Sequence, residues 1–541
     1  MRRFRPPLSV FLLLVGLFVC SSSVLPLTWD EGESIDRAEI LMQTGRWEYI
    51  LTKEGHPAGY AVVIGVGTTS AKTPLFSPLD FKTQYRLGPI LFISFALTAT
   101  FWRLTKLFGT TTAVFSLVTI ISIPRLFVHL QLADCEPALI GSWLLAWCLF
   151  PIAVKNQDDN PCRNNVFRIG GRSILWGIFL GATVSSKFTG VAIFLPFAFF
   201  TALLLVTKRL RFRQCAVVWS VAIVTALLTF FAIHPILWTD PIGGIVTFVA
   251  NNRLRTDYNV SVLFFGELYD MHHPLPWYNT IVWTMITVPF GFLIIAGAGL
   301  YRLFQRRQNE DNGHYRNVKW DILSVFLHFV TLIILRALPG VPVHDGIRLF
   351  APAFPFLGIL IGIAAAELWE RTRINRLKFV RSVIIAIYLT ACFNMFWYAP
   401  QWLSYYNCVL GGLRGATACG FEPTYFWDGF DHEVIRWLNE HTEPNERVAF
   451  SVCSPKTLTL YRRHGKIRFE PMPMPADFSL EKIKRYGCRY YVLQRRPSAE
   501  FERDTEFINH ATPVFVKTVR QGGVGPYDLR STPILEIYRL P

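Results

Sequence analysis

A chain of 541 residues that is 52% hydrophobic, 15% aromatic and only 17% charged carries more apolar surface than a soluble fold of that size buries. Its net charge of +16 falls into short basic clusters between apolar runs rather than onto a basic face with interleaved aromatics, which excludes nucleic acid as the expected partner. Ten cysteines without CxxC spacing or a Cys/His cluster exclude a structural zinc module, and leave disulfides among Cys408, Cys419, Cys453 and Cys488 open.

The chain begins with a basic "MRRFRPP" and the apolar run Leu8 to Cys20, read as an uncleaved first helix rather than a signal peptide. Further apolar segments fall at 87–105, 110–128, 137–154, 172–186, 188–206, 215–233, 277–300, 322–337, 350–368 and 380–398. A bilayer core about 30 Å thick takes about 20 helical residues to cross, so the expectation is a polytopic α-helical membrane protein of about eleven spans. Every alternate connection is basic: Arg103/Lys106, then Lys155 to Arg172, Lys208 to Arg213, Arg302 to Lys319 and Arg371 to Arg381. Those loops mark the cytoplasmic side, which puts the N-terminus inside and the C-terminal region outside. The fifth and sixth spans are short and nearly fused at Lys187, an arrangement compatible with a partly re-entrant pair.

The other connections are long. Loop 28–86 opens with "WDEGESIDRAEILMQTGRWEYIL", whose apolar spacing suggests an amphipathic helix on the membrane surface. Loop 234–276 holds "HPILWTDPIGG" and "MHHP". From about residue 399 the composition turns polar and mixed in charge, so residues 1–398 are read as the membrane module and 399–541 as a small extracytoplasmic α/β domain. In it "HEVIRWLNEHT" and "SLEKIKRYG" read as helices, "RVAFSVC" and "RYYVLQ" as strands, and "PVFVKTV" with "ILEIYRL" as a terminal strand pair.

Chemistry concentrates on the outer side. Asp30 and Glu31 follow the first helix, and Asp134 and Glu136 lie between the third and fourth spans. Outer-loop acids are ordinarily just solvated, but four carboxylates at the ends of apolar helices need a partner or a task. Cations and imidazoles share that side: His56, Lys187, His234, His272, His273, His344 and Arg348. Lys187 and Arg348 also read as snorkelling anchors, although isolated outer cations run against the positive-inside tendency. Adjacent His272 and His273 point apart in regular structure, so substrate contact ranks ahead of metal binding. Carboxylates that can take a hydroxyl proton, beside cations that can hold a phosphate leaving group at a membrane surface, point to glycosyl transfer from a lipid phosphate.

With those residues in view, the chain resembles GT-C superfamily glycosyltransferases of the family 39-like branch, which includes protein O-mannosyltransferases and the lipid A aminoarabinose transferase. The resemblance rests on "WDEG", "ADCEPAL", "SKFTG...LP", "RLFAPAFPFLGIL" and the stretch from "WLSYYNCVLGGLRGA" to "FEPTYFWDGFDHEVIRWLNE". It implies an inverting transferase of the cell envelope that moves a hexosyl or pentosyl group from a polyprenyl-phosphate donor to a hydroxyl on a protein, lipid or glycan, in a bacterial-type plasma membrane. By that resemblance Asp30 is the general base with Glu31 beside it, Asp134 orients the acceptor or helps hold a cation, and Lys187 and Arg348 grip the phosphate. His56, His272 and His273 are further substrate contacts. Metal dependence differs between branches of the superfamily, which leaves a divalent ion open. "FWDG" at Phe426 to Gly429 departs from the WWDYG pattern of oligosaccharyltransferases by a tryptophan and the tyrosine, which argues against en bloc transfer to asparagine. A secondary transporter is the rival reading, disfavoured because its ionisable groups belong near the midplane of repeated halves.

Overall fold

A computed structural model describes residues 6–44, 57–70, 73–151, 165–234, 236–254, 260–306, 313–343, 346–374, 378–475, 478–519 and 532–540. His56 and His344 lie outside these residues. The N-terminal helix α1 (Pro6–Val24) leads into α2 (Trp29–Thr44) and α3 (Gly59–Ser70), then the long α4 (Phe81–Phe108). A run of shorter helices follows: α5 (Thr110–Ile121), α6 (Pro124–His129) and α7 (Cys135–Leu149). Next come α8 (Asn165–Ser186), a 3-10 segment at Phe188–Ile193, α9 (Phe194–Val206) and α10 (Phe212–Ile233), then α11 (Ile236–Thr239) and α12 (Pro241–Leu254). A hairpin of β1 (Val262–Phe264) and β2 (Glu267–Tyr269) precedes α13 (Asn279–Thr287), α14 (Phe290–Arg306), α15 (Gly313–Arg336), α16 (Ala353–Ile374) and α17 (Lys378–Trp397).

Among the described residues seven helices are long and apolar enough to cross a membrane, or eight if the pair α13 and α14, bent by 112°, is one span. The chain is an integral membrane protein. The expected spans at 110–128 and 137–154 correspond to shorter helices: α5 ends at Ile121, α6 begins at Pro124, and α7 runs only from Cys135 to Leu149. Pro124 at the first turn of α6 supplies the break, since proline starts a helix but cannot continue one. The fused fifth and sixth spans are two helical segments that meet at Lys187, which is extended and precedes the 3-10 turn.

The C-terminal region carries a sheet-containing domain. After α18 (Gly412–Ala418) and α19 (His432–His441) come β3 (Arg447–Phe450), α20 (Pro455–Arg463), β4 (Glu470–Pro473), α21 (Leu480–Arg485), β5 (Tyr490–Gln494), α22 (Glu502–His510), β6 (Phe515–Val519) and β7 (Thr532–Arg539). The order across the sheet is β4-β3-β5-β7-β6, with β3 parallel to β4 and β5, and β7 antiparallel to β5 and β6. The expected helices and strands all occur, and β6 with β7 is the terminal pair. β4 was not anticipated, because Pro471 and Pro473 lack the donors a central strand needs; at the edge of the sheet they are tolerated. Cys408, Cys419, Cys453 and Cys488 are free thiols.

The helix α2 does not lie with its apolar face on lipid. Ile35, Ala38 and Leu41 are buried in one cluster with Tyr60 and Ile64 of α3 and with Val434, Leu458 and Tyr461 of the C-terminal domain. Gly32 makes this approach feasible: a Cβ there would sit 2.4 Å from the backbone nitrogen of Thr457. Thr457 Oγ1 donates to the carbonyl of Thr28 (3.3 Å), Tyr461 takes the amide of Leu27 (2.9 Å), and Lys456 pairs with Asp36 (2.8 Å). The sheet domain is thus bonded to the segment that presents Asp30.

The linker Tyr425 to Gly429 seals the junction. Trp427 adopts φ 54°, packs 4.5 Å from Trp29, and lies under the Arg496 guanidinium. Asp428 beside it is fully buried, and neither carboxylate oxygen has a hydrogen-bond partner among the other described residues. Burial, only partly offset by its own backbone amide and by Arg125, pushes its pKa up to about 7. A carboxyl held above its unfolded value is destabilising once ionised, so stability falls as pH rises from about 4 through 7. Asp428→Asn is therefore expected to raise the thermal midpoint in detergent at pH 8, by an amount corresponding to a few kcal/mol at most, with a gain that shrinks as pH falls towards 4. An equal midpoint for both proteins at pH 8 would show that the buried carboxylate costs nothing.

Candidate active site

Two acids that are neighbours in sequence leave α2 in different directions, because successive helical residues project about 100° apart. Glu31 turns inward. It is fully buried, and both its oxygens meet Arg86 at 2.7 Å in a bidentate pair. Glu31 also accepts from the amides of Thr28 and Ala133, each at 2.9 Å, and from the Thr28 hydroxyl at 3.1 Å. Burial alone would raise its pKa, but the charge and hydrogen bonds of Arg86, with the two amides, outweigh it and hold the carboxyl below its usual range. Arg86 donates in addition to the carbonyls of Ser22, Leu25 and Pro26, so the pair fastens the end of α1 to the start of α2. Glu31, expected beside the base, is a junction residue in this geometry.

Asp30 turns the other way, to Arg348. The guanidinium of Arg348 bonds Asp30 and Asp134 Oδ2 (2.8 Å) through Nη2, and Glu136 Oε1 (3.0 Å) through Nε. Lys187 Nζ reaches the same Glu136 oxygen at 2.7 Å. Phe426 of the linker lies against the guanidinium, 4.3 Å from its ring centre. Side-chain exposure is 34% for Asp30, 7% for Arg348, 3% for Asp134, 0% for Glu136 and 10% for Lys187. Asp30 is therefore the face of a buried cluster.

The acids of α7 belong to its N-terminus. Asp134 caps the helix by accepting from the amide of Cys135 (2.7 Å), and Glu136 sits in the first turn, where the aligned amides favour negative charge. The Ser34 hydroxyl donates to Asp134 (3.2 Å) and ties the cap to α2. Burial and the neighbouring charge of Glu136 drive the Asp134 pKa well above the carboxylate range in spite of Arg348.

Among the expected site residues, Asp30, Asp134, Lys187 and Arg348 come together. Glu136, noted only as one of the outer acids, is the group that joins both cations. His272 and His273 stay apart. Their amides donate to Asp270, the His273 ring stacks on Tyr269 (5.1 Å) and meets the Leu268 carbonyl of β2 (3.3 Å), and both are exposed. Arg86 was not singled out, although a cation at the outer end of an apolar run is the signal that marked Lys187 and Arg348.

Asp134, Cys135 and Glu136 bring donor atoms within 4.8 Å of one another, the grouping among the described residues suited to a metal. A hard divalent ion there would face Arg348 and Lys187, already 2.7 to 3.0 Å from the carboxylates it needs. The donor set does not fit such an ion unless Arg348 moves, and no step is assigned to one. Chelation with EDTA is expected to leave activity unchanged; a loss restored by added Mg²⁺ or Mn²⁺ would mean that Arg348 gives way to metal.

No family sequence model and no curated protein sequence matches the chain. The fold does find relatives. The apo crystal structure of ArnT from Cupriavidus metallidurans superposes with a TM-score of 0.55 at 12% identity, covering 99% of this chain and 98% of its own. This chain has the ArnT fold. The ArnT structure bound to undecaprenyl phosphate matches over the same shares, with a TM-score of 0.51 and 14% identity. The apo oligosaccharyltransferase of Archaeoglobus fulgidus, at 12% identity and a TM-score of 0.49, is covered over 70% of its length by 91% of this chain. End-to-end coverage by ArnT includes both the helical bundle and the sheet domain.

Proposed function

We propose that the protein is an inverting glycosyltransferase that moves one sugar from a polyprenyl-phosphate donor to an acceptor hydroxyl at the extracytoplasmic surface of a bacterial-type plasma membrane. The observation that carries this reading is the convergence of Asp30, Asp134 and Glu136 on Arg348, with Lys187 on Glu136. The ArnT fold supports it, since one ArnT structure holds undecaprenyl phosphate. Asp30, the exposed acid, takes the proton of the acceptor hydroxyl. The acceptor oxygen then bonds to the anomeric carbon as that carbon's bond to the phosphate oxygen breaks. The electron pair leaves on the polyprenyl phosphate, whose charge Arg348 and Lys187 stabilise. Asp134 and Glu136 hold those cations in place, and Glu31 with Arg86 fixes the helix that carries Asp30. A charge cluster at the bundle end that meets the sheet domain favours transfer over transport, which needs its ionisable groups near the midplane.

The test is a membrane assay with a panel of radiolabelled polyprenyl-phosphate sugars, wild type against Asp30→Asn. Wild-type membranes are expected to incorporate one of the sugars and the variant to lose at least about a hundredfold in rate, the scale of a positioned general base. Undiminished incorporation by Asp30→Asn would overturn the assignment of the base.

A further inference from the structure

The proposed base and the proposed phosphate grip are bonded to each other. Arg348 holds Asp30 through the Nη2 that also holds Asp134. A carboxylate whose lone pairs accept from a guanidinium is poorly placed to take a proton from an alcohol. A guanidinium committed to carboxylates is likewise poorly placed to take a phosphate. Of the three acids, only Asp30 can leave cheaply. Its side chain is 34% exposed, against 3% for Asp134 and 0% for Glu136. A carboxylate that reaches water on leaving its partner loses less than one left buried without a partner. Asp30 also stands in the first turn of α2, so its charge stays favoured when Arg348 turns away.

We infer that Asp30 occupies the place on Arg348 that the donor phosphate takes, so that donor binding releases the base. The reading rests on the proposed transferase function and adds an order to it. The phosphate arrives past Asp30 and takes the place on Nη2 that the carboxylate leaves. Asp30 is then released from the guanidinium and open to the proton of the acceptor hydroxyl. Asp134 and Glu136 remain and keep Arg348 from swinging out of the cluster. Before donor arrives, the base is held inactive by the residue that will bind the leaving group, so the donor binds first and the acceptor is activated second.

The consequence is unusual for a catalytic acid: neutralising it should strengthen binding of the other substrate's phosphate. The probe is a short-chain polyprenyl phosphate without sugar, titrated by calorimetry into the purified full-length protein in detergent. Asp30→Asn is expected to bind it about three- to tenfold more tightly than wild type, the range for loss of a partly exposed competing pair, while transfer is lost. Asp30→Glu, which keeps a competing carboxylate, should bind near the wild-type strength. If Asp30→Asn does not fold, Asp30→Ala serves in the same comparison. Tighter binding by the neutral variants alone supports the exchange. Binding that is unchanged or weaker, with transfer lost, overturns the exchange and leaves the base assignment intact. Transfer retained by Asp30→Asn overturns the base assignment on which the inference rests.

Discussion

Replacing Arg86 with methionine removes folded protein rather than lowering the rate of a folded enzyme. Arg86 is fully buried, as is the Glu31 it holds through two hydrogen bonds of 2.7 Å. Three backbone carbonyls, those of Ser22, Leu25 and Pro26, take the remaining donors. Without Arg86 these acceptors lose their partner at the end of α1, and Glu31 stays as an uncompensated buried charge. Breaking such a pair costs about 3–5 kcal/mol, a large share of the roughly 5–15 kcal/mol that separates folded from unfolded domains. The thermal midpoint of the Arg86→Met protein in detergent should fall sharply, and its yield with it. Arg86→Met combined with Glu31→Leu should recover much of the loss, because replacing both members of a buried pair removes the unpaired charge. A stable, inactive Arg86→Met protein would instead tie this pair to the chemistry.

The second large effect falls on the cations. Lys187→Ala removes the group that shares Glu136 with Arg348. A preorganised cation facing the charge of a departing phosphate contributes about 3 kcal/mol or more, roughly a hundredfold in rate. Arg348 needs a gentler substitution. Arg348→Ala would leave two buried acids, Asp134 and Glu136, with Lys187 on Glu136 as the cation that stays, and would confound instability with lost catalysis. Arg348→Lys keeps a charge but cannot span three carboxylates with a planar fork. Both Lys187→Ala and Arg348→Lys are expected to retain a cooperative unfolding transition and to lose about a hundredfold or more in transfer from a polyprenyl-phosphate sugar. Wild-type rates in either protein would remove that cation from the leaving-group site.

Much of this arrangement was visible in the sequence, for a reason that also explains the failures. Apolar runs and basic loops report the solvent on each side of a residue, and that is enough to expect membrane helices and to notice that Lys187 and Arg348 lie where cations are uncommon. It says nothing about which side chains meet. Asp30 and Arg348 are brought together by the packing of α2, α7 and the turn before α16, contacts between parts of the chain far apart in sequence. The same logic applied to Arg86, at the edge of an apolar run, would have drawn attention to it. Glu31 carried a local signal too. The spacing of Thr28 and Glu31 is the T-x-x-E of a capping box, and Glu31 does return to the amide of Thr28. Read that way, adjacent Asp30 and Glu31 could not be two members of one site. Nothing in the spacing of Asp134 and Glu136 tells which faces the cations, because both lie in the first turn and the choice is made by Arg348 and Lys187. The shorter α5 and α7 escaped for a different reason: the apolar run 110–128 carries across the turn at Ser122 to Ile123, and the run that ends at 154 outlasts α7, which stops at Leu149.

The most direct measurement is the stoichiometry of undecaprenyl phosphate on the purified protein by native mass spectrometry, in wild type, Lys187→Ala and Arg348→Lys. If Lys187 and Arg348 form the phosphate grip, wild type retains one equivalent and each variant loses most of it while staying folded. Equal retention by all three proteins would contradict that placement and, with it, the transfer site built from Asp30, Asp134 and Glu136.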